Sequence, residues 1–523
     1  MTVLDLRAPT CAPAPTPAPA DPATGSRRQL LRHMPVAVLG LLVTTVVALG
    51  ASRWPAFGDD EGTYVAQAWA VRVEGTLSHY TYWYDHPPFG WLQLSGLQAT
   101  LGPLVPGDAV AEARLLVVPY AVASALLVGL MARRLGLARP TAVAAVLLMT
   151  LSPLALASLR GVYLDLLGLP WLLLAFVLAL SPRKSLWAHS GAGLAFAAAV
   201  LSKETFLLAL PGLLLAARRG STPRTRAFCT AGLLGVLLLV VLVYPLLAVL
   251  KGELLPGPDT VSLWDAIGFQ LFERQGSGTA LDPASGSAAL VASWLALDPW
   301  LLAGGVLLAP AAMLSHRLRV PALTLLVLVV AGLRPGYLPQ PYVVALLPFC
   351  AVVVAGCGEH VVAAARRTAA TTVLAGVLGV ALTALVLPSW AGGLREATTD
   401  DTTTERRQAL TAVIDAVPRS DRVLIDDTYY VDLVEAGFEP RYGAVWFFKM
   451  DLEAGLDPSV VQRLPRGWRD LDWVVSSPAL RGTLDKDPAA LEQVRLAVEN
   501  SRVVQTFGTG PERVELRQVD AGE

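Results

Sequence analysis

The stretch Gly58–Val71, GDDEGTYVAQAWAV, carries three consecutive carboxylates: Asp59, Asp60 and Glu61. Directly before it runs MPVAVLGLLVTTVVALGA, residues 34–51, which is close to the roughly 20 apolar residues that span a bilayer. The acidic run therefore follows a segment that can cross a membrane. This order predicts a first transmembrane helix and then an acidic loop at the membrane surface.

The composition is typical of an integral membrane protein with a water-exposed tail. Of the 523 residues, 54% are hydrophobic and only 16% are charged, whereas a soluble protein carries roughly 25% charged residues. The shortage of charge ends in the last quarter of the chain. A net charge of −1 gives no basic field for nucleic acid. The cysteines show neither a disulfide framework nor the spacing of a zinc site: Cys11, Cys229, Cys350 and Cys357.

The segment before the first span is rich in Pro and Ala and lacks periodicity. Residues 1–33 are therefore predicted to be a disordered cytoplasmic head. The small residues ALGA near the end of the apolar run leave a cleaved signal peptide as an alternative. We favour an uncleaved first span because the apolar run is long and begins late in the chain.

Hydrophobic runs recur along the chain and predict an α-helical polytopic membrane protein with about eleven transmembrane helices. Lys and Arg, which favour the cytoplasmic side of a membrane, fall in every second connection between these runs. The alternation predicts a multi-pass protein of the cytoplasmic membrane, with a cytoplasmic N-terminus and the acidic run outside. The runs lie near residues 34–52, 109–131, 140–158, 163–181, 186–201, 204–217, 227–250, 295–314, 319–333, 341–357 and 370–388.

An odd number of spans also places the C-terminal tail outside the cytoplasm. The transmembrane domain is predicted over residues 34–390, and a polar linker follows at 391–405. The tail has a helical apolar period in ERRQALTAVIDAV and short strand-like runs in RVLIDD, AVWFFK, DWVVSS and VVQTFG. We therefore predict an extracytoplasmic α/β domain at residues 406–523.

Two outer connections are longer than simple turns. Residues 53–108 contain an amphipathic segment at Tyr64–Val73, the aromatic run HYTYWYDHPP and an apolar segment at Phe89–Leu104. Trp and Tyr favour the membrane interface, so we expect one or two interfacial helices, whose rings either anchor the loop or contact a ligand. The connection 251–294 has Gly and Ser around polar residues. It is either a passive connector or a lid over substrate.

An ordered set of motifs resembles the GT-C superfamily of membrane glycosyltransferases. After the acidic run come His86-Pro87-Pro88, within YDHPPFGW, then LRGVYLD at 159–165, LSKET at 201–205 and GYLPQPYVVALLP at 336–348. These motifs are most similar to glycosyltransferase family 39, the protein-mannosyltransferase and aminoarabinose-transferase group. The resemblance spans about residues 34–350 and does not cover the C-terminal domain.

The resemblance implies the GT-C fold and an inverting hexosyl- or pentosyltransferase. Such an enzyme moves a sugar from a polyprenyl-phosphate donor to a hydroxyl acceptor on the outer face of the membrane. A carboxylate must take the acceptor proton as the new bond forms. Asp60 matches the acid of the family's Asp-Glu pair and is the candidate general base, with Glu61 supporting it. Asp165 matches the acid of the next outer edge and is the third candidate catalytic residue.

The acidic run also has other interpretations. Asp59 is an extra acid that leaves the register of the Asp-Glu pair open by one residue, and it is a candidate substrate-binding residue. A run of acids at a helix N-terminus is also favourable to the helix dipole without any function.

The leaving phosphate of the donor needs cationic or hydrogen-bonding partners. His86 precedes Pro-Pro where relatives carry a basic residue, and Lys203 lies between two apolar runs. The structural alternatives are an interfacial ring for His86, a snorkelling ammonium for Lys203 and an ion pair between Arg160 and Asp165. The candidate substrate-binding residues besides Asp59 are His86, Arg160, Lys203, Arg334 and Tyr337.

These residues demand no cofactor and no metal, although acids on two outer loops could hold a divalent ion. The expected partners are a polyprenyl-phosphate-linked sugar donor, a protein, glycan or lipid acceptor and membrane lipids. A polytopic transporter is the main alternative function, but transport sites usually lie near the midplane on broken helices. A membrane scaffold whose outer domain binds a partner is a third hypothesis.

Overall fold

A computed structural model of the chain describes residues 22–257, 261–274, 276–455, 457–486 and 488–520. It consists of a large helical part followed by a small unit that contains a five-stranded sheet. The prediction of a mainly α-helical protein with a C-terminal α/β unit is confirmed at this level.

The helical part comprises eighteen helices of the described residues. Their bounds are α1 (Pro22–Ala48), α2 (Asp59–Val73), α3 (Phe89–Leu101), α4 (Ala109–Leu116), α5 (Val118–Arg134), α6 (Arg139–Leu151), α7 (Pro153–Arg160), α8 (Leu164–Ala179), α9 (Leu186–Ser202), α10 (Leu210–Arg219), α11 (Arg226–Val241), α12 (Val243–Lys251), α13 (Leu263–Gly268), α14 (Gly286–Leu297), α15 (Pro299–Ala312), α16 (Arg319–Leu333), α17 (Val343–Ala365) and α18 (Ala369–Thr399). Short 3₁₀ turns lie between some of them, at Gly102–Leu104, Glu204–Ala209 and Gln340–Tyr342, and a π turn follows α13 at Phe269–Glu273.

By length and apolar composition, four described segments could cross a membrane, or six if each of two bent helix pairs counts as one span. Four shorter apolar helices lie at other predicted spans, at Met34–Ala48, Leu164–Ala179, Leu186–Ser202 and Arg319–Leu333. The total of about eleven spans and their orientation stay predictions.

Both bent pairs break at a capping residue followed by proline. Ser152 ends α6 and its hydroxyl accepts the Ala155 N–H at 3.2 Å, while Asp298 caps α15 in the same way. Pro153 and Pro299 then occupy the first helical turn, where a missing N–H costs nothing. The pairs are bent by 68° and 113°. The two breaks meet, because the Ser152 hydroxyl donates to the Asp298 carboxylate at 2.5 Å.

Helical structure extends into both segments that were predicted to flank the spans as irregular chain. α1 begins at Pro22, inside the segment 1–33 predicted as a disordered head, and residues 1–21 lie outside the described part of the chain. α18 runs on to Thr399, through much of the predicted linker 391–405. Its end is held against the first outer loop, because Glu396 accepts a hydrogen bond from Trp54 Nε1 at 3.3 Å.

The connection 53–108, named the first outer loop for the side on which it is predicted, contains two helices, α2 and α3, where the sequence predicts one or two. α2 starts directly after Gly58, whose backbone N–H is accepted by the Glu61 carboxylate at 3.1 Å. This contact satisfies one of the donors that a helix start leaves unpaired. The acidic run 59–61 therefore forms the first turn of α2, and its interfacial placement stays a prediction.

The C-terminal unit alternates short strands with helices. Its helices are α19 (Thr404–Ala416), α20 (Tyr430–Glu435), α21 (Pro458–Arg463), α22 (Pro478–Lys486) and α23 (Glu492–Glu499). Its strands are β1 (Val423–Ile425), β2 (Ala444–Trp446), β3 (Trp473–Ser476), β4 (Ser501–Phe507) and β5 (Val514–Val519). The four strand-like runs of the sequence coincide with β1 to β4.

The sheet has the strand order β2-β1-β3-β5-β4. β1 is parallel to β2 and β3, with Leu424 opposite Val445 and Val474, whereas β5 is antiparallel to β3 and β4. Leu424, Val445 and Val474 belong to a separate buried core on one face, with Val494 of α23. Residues of the other face join the large core of the helical part.

The C-terminal unit rests on the first outer loop through a buried arginine. Arg406 of α19 pairs with Asp108 at 3.3 Å and with Asp432 at 2.9 Å. Asp432 also accepts the backbone N–H of Ala109 at 2.9 Å, at the start of α4. Two of these contacts, Arg406–Asp108 and Ala109–Asp432, cross between the two parts and fix the unit beside α4.

Candidate active site

Glu61 lies at the centre of a buried network. Its side chain is fully buried and pairs with the equally buried Arg114, at 2.5 Å from Nη2 to Oε1 and 2.8 Å from Nε to Oε2. Oε2 also accepts the Val162 N–H at 2.8 Å, and Oε1 accepts the Gly58 N–H at 3.1 Å. Each carboxylate oxygen therefore already accepts two hydrogen bonds. Glu61 ties α2 to α4 and to the chain before α8, which is consistent with a supporting role.

Asp60 differs from both of its acidic neighbours. It is the second residue of α2, is exposed, and accepts no hydrogen bond from the described residues. Its charge acts on groups around it that include Tyr64, Tyr163, Lys203 and Tyr337. A carboxylate that is exposed and accepts no hydrogen bond from the described residues can accept a proton from a bound molecule.

His86 connects a cation to a carboxylate. Its Nδ1 lies 3.0 Å from Glu204 Oε2, and its Nε2 lies 2.9 Å from Lys203 Nζ. An ammonium can only donate and a carboxylate can only accept, so these partners favour the tautomer with the proton on Nδ1. The Tyr82 hydroxyl donates to the His86 carbonyl at 2.8 Å and helps to hold the ring. In this arrangement Lys203 supplies the positive charge and His86 positions it.

Asp165 is a buried acid with spare hydrogen-bonding capacity. It is the second residue of α8 and only 1% exposed, and its Oδ2 is buried without a hydrogen-bond partner among the described residues. Its charge interacts with Lys203, Glu204 and His86. An unpaired buried polar atom costs about 1–3 kcal/mol. A ligand hydroxyl that donates to Oδ2 would remove this cost.

Lys203 joins these residues into one site. Its ammonium interacts electrostatically with Glu204, Asp165, Asp60 and Asp85. Lys203 is the C-cap of α9, and Asp60 and Asp165 lie in the first turns of α2 and α8. Three residues predicted from the sequence, Asp60, Asp165 and Lys203, therefore lie at helix ends, and Lys203 interacts with the other two and with His86.

Asp59 points away from this cluster and contacts the C-terminal unit. Its Oδ1 accepts the Asp427 backbone N–H at 2.9 Å, while the Asp427 carboxylate accepts the Thr63 hydroxyl at 2.7 Å and lies 3.1 Å from His79 Nε2. Burial, with Asp427 and Asp426 nearby, raises the pKa of Asp59 well above its ordinary value. Burial likewise raises the pKa of Asp427 and lowers the pKa of His79 to about 3. The contacts of Asp59 are thus with protein, and substrate binding by it stays a prediction.

The Arg160 guanidinium binds backbone carbonyls rather than Asp165, so the structural alternative of an ion pair is wrong, and substrate binding by Arg160 stays a prediction. α7 ends at Arg160, and its fully buried guanidinium donates to the carbonyls of Val47 at 3.0 Å, Val46 at 3.0 Å and Ala397 at 2.7 Å. The last carbonyls of a helix lack partners inside that helix, and an arginine is a common partner for them. Arg160 therefore fastens the end of α1 to the end of α18.

Tyr337 borders the site from the segment after α16. Its ring centroid lies 3.5 Å from the Arg274 guanidinium carbon, and its hydroxyl interacts electrostatically with Asp60 and Lys203. Arg274 belongs to the connection 251–294, which is also tied to this segment by the Ser277 N–H donating to the Gly336 carbonyl at 3.1 Å. The part of the connection near Tyr337 is therefore anchored.

Arg334 lies apart from this contact. It is exposed at the end of α16 and interacts electrostatically with Tyr342. A contact between Arg334 and substrate stays a prediction.

Sequence reasoning missed two acids of the site. Glu204 holds His86, and Asp85 is partly buried, accepts no hydrogen bond from the described residues and acts on Lys203. Both lie beside residues that were singled out, in LSKET and YDHPPFGW. Tyr84, directly before Asp85, has a φ of 56°, a left-handed conformation that costs a non-glycine residue about 1–3 kcal/mol. Such local strain is common at functional sites.

No protein-family model and no curated protein matches the sequence, but solved structures match the fold. The chain is similar to ArnT from Cupriavidus metallidurans bound to undecaprenyl phosphate, with a TM-score of 0.58 and 18% identity over 92% of this chain and 98% of that one. It is also similar to the Archaeoglobus fulgidus oligosaccharyltransferase in the apo form, with a TM-score of 0.52 and 12% identity over 92% and 74% of the chains. AglB of the same organism, in complex with an inhibitory peptide and a dolichol-phosphate, gives a TM-score of 0.51 and 13% identity over 91% and 74%. ArnT and the AglB oligosaccharyltransferase are GT-C proteins, and the chain therefore has the fold of the GT-C membrane glycosyltransferases.

Proposed function

We propose that the protein is an inverting glycosyltransferase. It transfers a hexose or pentose from a polyprenyl-phosphate donor to a hydroxyl acceptor at the outer face of the cytoplasmic membrane. The observation that carries the proposal is that a carboxylate able to accept a proton and a cation able to bind phosphate belong to one site. The Asp60 carboxylate is exposed and accepts no hydrogen bond from the described residues, and Lys203, which interacts electrostatically with it, is held by His86 at 2.9 Å.

The proposed reaction is a single displacement at the anomeric carbon. The acceptor oxygen forms the new bond to this carbon while its proton passes to the Asp60 carboxylate. The bond to the donor phosphate breaks on the opposite face, and its electron pair leaves with the phosphate oxygen. Attack from the face opposite the leaving group inverts the configuration of the sugar.

Lys203 stabilises the charge that grows on the departing phosphate. A fixed cation aimed at such charge lowers the barrier because it needs no rearrangement during the reaction. His86 Nε2 accepts one Lys203 donor at 2.9 Å and leaves the ammonium two further donors for the phosphate. Glu204 holds the other ring nitrogen, so the orientation of Lys203 is set before the donor binds.

Asp165 and Tyr337 are proposed to hold the sugar. The unpaired Oδ2 of Asp165 is a ready acceptor for a sugar hydroxyl, and the Tyr337 ring offers a face beside Asp60 and Lys203. Neither the sugar nor the acceptor is specified by these groups. A protein, a glycan or a lipid can each present the hydroxyl that Asp60 needs.

The donor class is supported by the fold and by the chemistry of the site. Structures of ArnT and AglB with this fold are described with undecaprenyl phosphate and a dolichol-phosphate. The proposed mechanism uses no metal ion, because Lys203 supplies the positive charge. Within the described residues, no group of three or more His, Cys, Asp or Glu side chains is arranged to hold one.

The location of the ionisable residues favours transfer over transport. Asp60 and Asp165 lie in first helical turns and Lys203 follows the last turn of α9. A transport site is usually built near the middle of the membrane on broken helices. The breaks in α6–α7 and α14–α15 instead bring Ser152 and Asp298 together.

The test is incubation of the purified protein with a panel of polyprenyl-phosphate sugars and simple hydroxyl acceptors. We expect one donor to release polyprenyl phosphate and to give a glycoside of inverted configuration. Lys203→Gln should weaken donor binding at least tenfold, since a hydrogen bond to a charged group contributes about 1.5–3 kcal/mol. A product with retained configuration would contradict the single displacement.

A further inference from the structure

A cavity lies between the C-terminal unit and the first outer loop. It has a volume of about 520 Å³ and is lined by Tyr80 and Thr81 of the loop and by residues from the chain before β2 to α21. Its size is within the roughly 300–1,000 Å³ of small-molecule sites. It contains none of the residues placed in the transfer site, so the proposed reaction does not account for it.

One wall of this cavity is cationic. Lys449 is 1% exposed and lies between two aromatic rings, 4.8 Å from the centroid of Tyr80 and 4.9 Å from that of Tyr442. Arg463 lies 5.1 Å from the centroid of Tyr442, and Arg441 also lines the cavity. Three cations thus border one space, and a buried ammonium is costly unless it is well paired. Lys449 meets this need through Glu453 at 2.9 Å, behind the cavity wall.

The cations outnumber the acids that line the cavity. Asp457 is the one carboxylate among the lining residues, and its Oδ1 accepts the Ser459 N–H at 2.9 Å. The Arg441 Nε is buried and has no hydrogen-bond partner among the described residues. The Gln462 amide also makes no hydrogen bond to described residues. Each of the three cations also pairs with a carboxylate outside the lining, which is Glu74, Glu453 or Glu439. A guanidinium has five N–H donors, so Arg441 and Arg463 keep donors beyond these pairs.

The backbone holds one of these donors in a fixed position. Arg441 has a φ of 72°, in the left-handed region that costs a side-chain-bearing residue about 1–3 kcal/mol. Its guanidinium also reaches across to the first outer loop, where it pairs with Glu74 at 2.8 Å. A strained residue that bridges the two parts of the protein is thus placed at the rim of the cavity.

We propose that this cavity binds an anionic, hydroxylated ligand of sugar size, such as a sugar that carries a phosphate or carboxylate group. Arg441 and Arg463 bind the anionic group, because guanidinium groups are well suited to phosphate and carboxylate. Gln462, Asp457 and Ser459 bind the hydroxyl groups. The site goes beyond the proposed transfer reaction and does not depend on it.

Direct binding to the full-length protein in detergent tests this proposal. Calorimetric titrations should detect glucose 6-phosphate, with inorganic phosphate binding more weakly and glucose not at all. Arg463→Gln should weaken glucose 6-phosphate binding at least tenfold. The side chain of Arg463 is half exposed and its partner Glu439 is on the surface, so the variant is expected to fold.

Arg466→Gln is the matched control, because Arg466 lies three positions away on the surface, pairs with Asp470 and does not line the cavity. It should bind glucose 6-phosphate as the wild type does. Equal binding of glucose and glucose 6-phosphate, or an Arg463→Gln affinity equal to that of the control, would overturn the proposal. Asp60→Asn should bind this probe normally, so failure of the transfer reaction and failure of this site are distinguishable.

The source of the anionic group is resolved by repeating the titration in nanodiscs. Loss of glucose 6-phosphate binding in phosphatidylglycerol, with binding retained in phosphatidylcholine, would identify a lipid headgroup as a competing occupant. Equal binding in both lipids would identify a ligand that arrives from water or on an acceptor. Either result supports an anion site, whereas loss of binding in both lipids would contradict it.

Discussion

Replacing Glu61 by glutamine separates structural support from chemistry at the acidic run. The substitution keeps the shape of the side chain but removes the charge that faces Arg114. Arg114 would still donate to the backbone carbonyls of Pro55 at 2.6 Å and Ala51 at 3.2 Å. Its positive charge would nevertheless remain buried without a counter-charge, since both side chains are fully buried.

Removing one partner of a buried ion pair typically costs about 3–5 kcal/mol. The two backbone N–H groups that Glu61 accepts, from Gly58 and Val162, would compete for a single amide oxygen. We therefore expect Glu61→Gln to lose about 3–5 kcal/mol of stability. Asp60→Asn should change stability by less than about 0.5 kcal/mol, because Asp60 is exposed and unbonded.

Thermal unfolding in detergent measures this difference, and turnover is measured below the unfolding temperature of each variant. Glu61→Gln should unfold at a much lower temperature but keep turnover while it is folded. The double variant Glu61→Leu with Arg114→Met should recover part of the stability, because replacing both partners of a buried pair by apolar groups is often close to neutral. A Glu61→Gln protein with unchanged stability and no turnover would refute the structural role.

Three further substitutions test other contacts. Gly62→Ala should lower stability by about 1–3 kcal/mol, because a Cβ there overlaps the backbone of Asp427. Gly96→Ala in α3 is the control, because it has open space around it and should be neutral or stabilising. Equal unfolding temperatures of the two variants would contradict this prediction. Burial raises the pKa of Asp427 in the folded protein, so its stabilising contribution is complete below the ordinary carboxyl pKa of about 4 and is lost as pH rises through the raised value. The unfolding temperature of wild type minus that of Asp427→Asn should thus fall as the pH rises above about 4, and a difference that grows with pH would show the opposite sign. Arg160→Lys should reduce thermal stability and leave donor affinity unchanged; weaker donor binding at unchanged stability would restore Arg160 to the site.

The elements that depend on local pattern could be predicted from the sequence. α2 and α3 follow from amphipathic and apolar periods, and β1 to β4 from short apolar runs between turns. β5 was missed, although Val514 and Leu516 alternate with Glu515 and Arg517 as in a half-buried strand. Its polar face is stabilised by a Glu515–Arg517 pair at 2.7 Å, which only the assembled sheet reveals.

The site was predictable where residues of two separate motifs were assigned to the same ligand. His86 and Lys203 were expected near each other and lie 2.9 Å apart. The roles within the acidic run were not predictable, because they are set by distant partners. Arg114 forms an ion pair with Glu61, and the Asp427 backbone N–H donates to Asp59. Neither partner belongs to one of the motifs that carry the family resemblance.

The turn that follows α7 explains why Arg160 and Asp165 do not pair. Asp165 lies five positions after Arg160, which left an ion pair as one interpretation, but the chain turns sharply at Gly161, where the Tyr163 ring fills the space beside the backbone. The turn sends Arg160 toward α1 and Asp165 toward Lys203. Spacing along the chain carries no information on such a turn.

The most direct test of the proposed function is the comparison of donor binding and turnover in Asp60→Asn. Because Asp60 alone in the acidic run is free to take the acceptor proton, turnover should fall by about 10²–10⁴-fold while the affinity for the polyprenyl-phosphate sugar stays within about twofold. Full turnover in the folded variant would show that another group accepts the proton, and the assignment of the base would then be wrong.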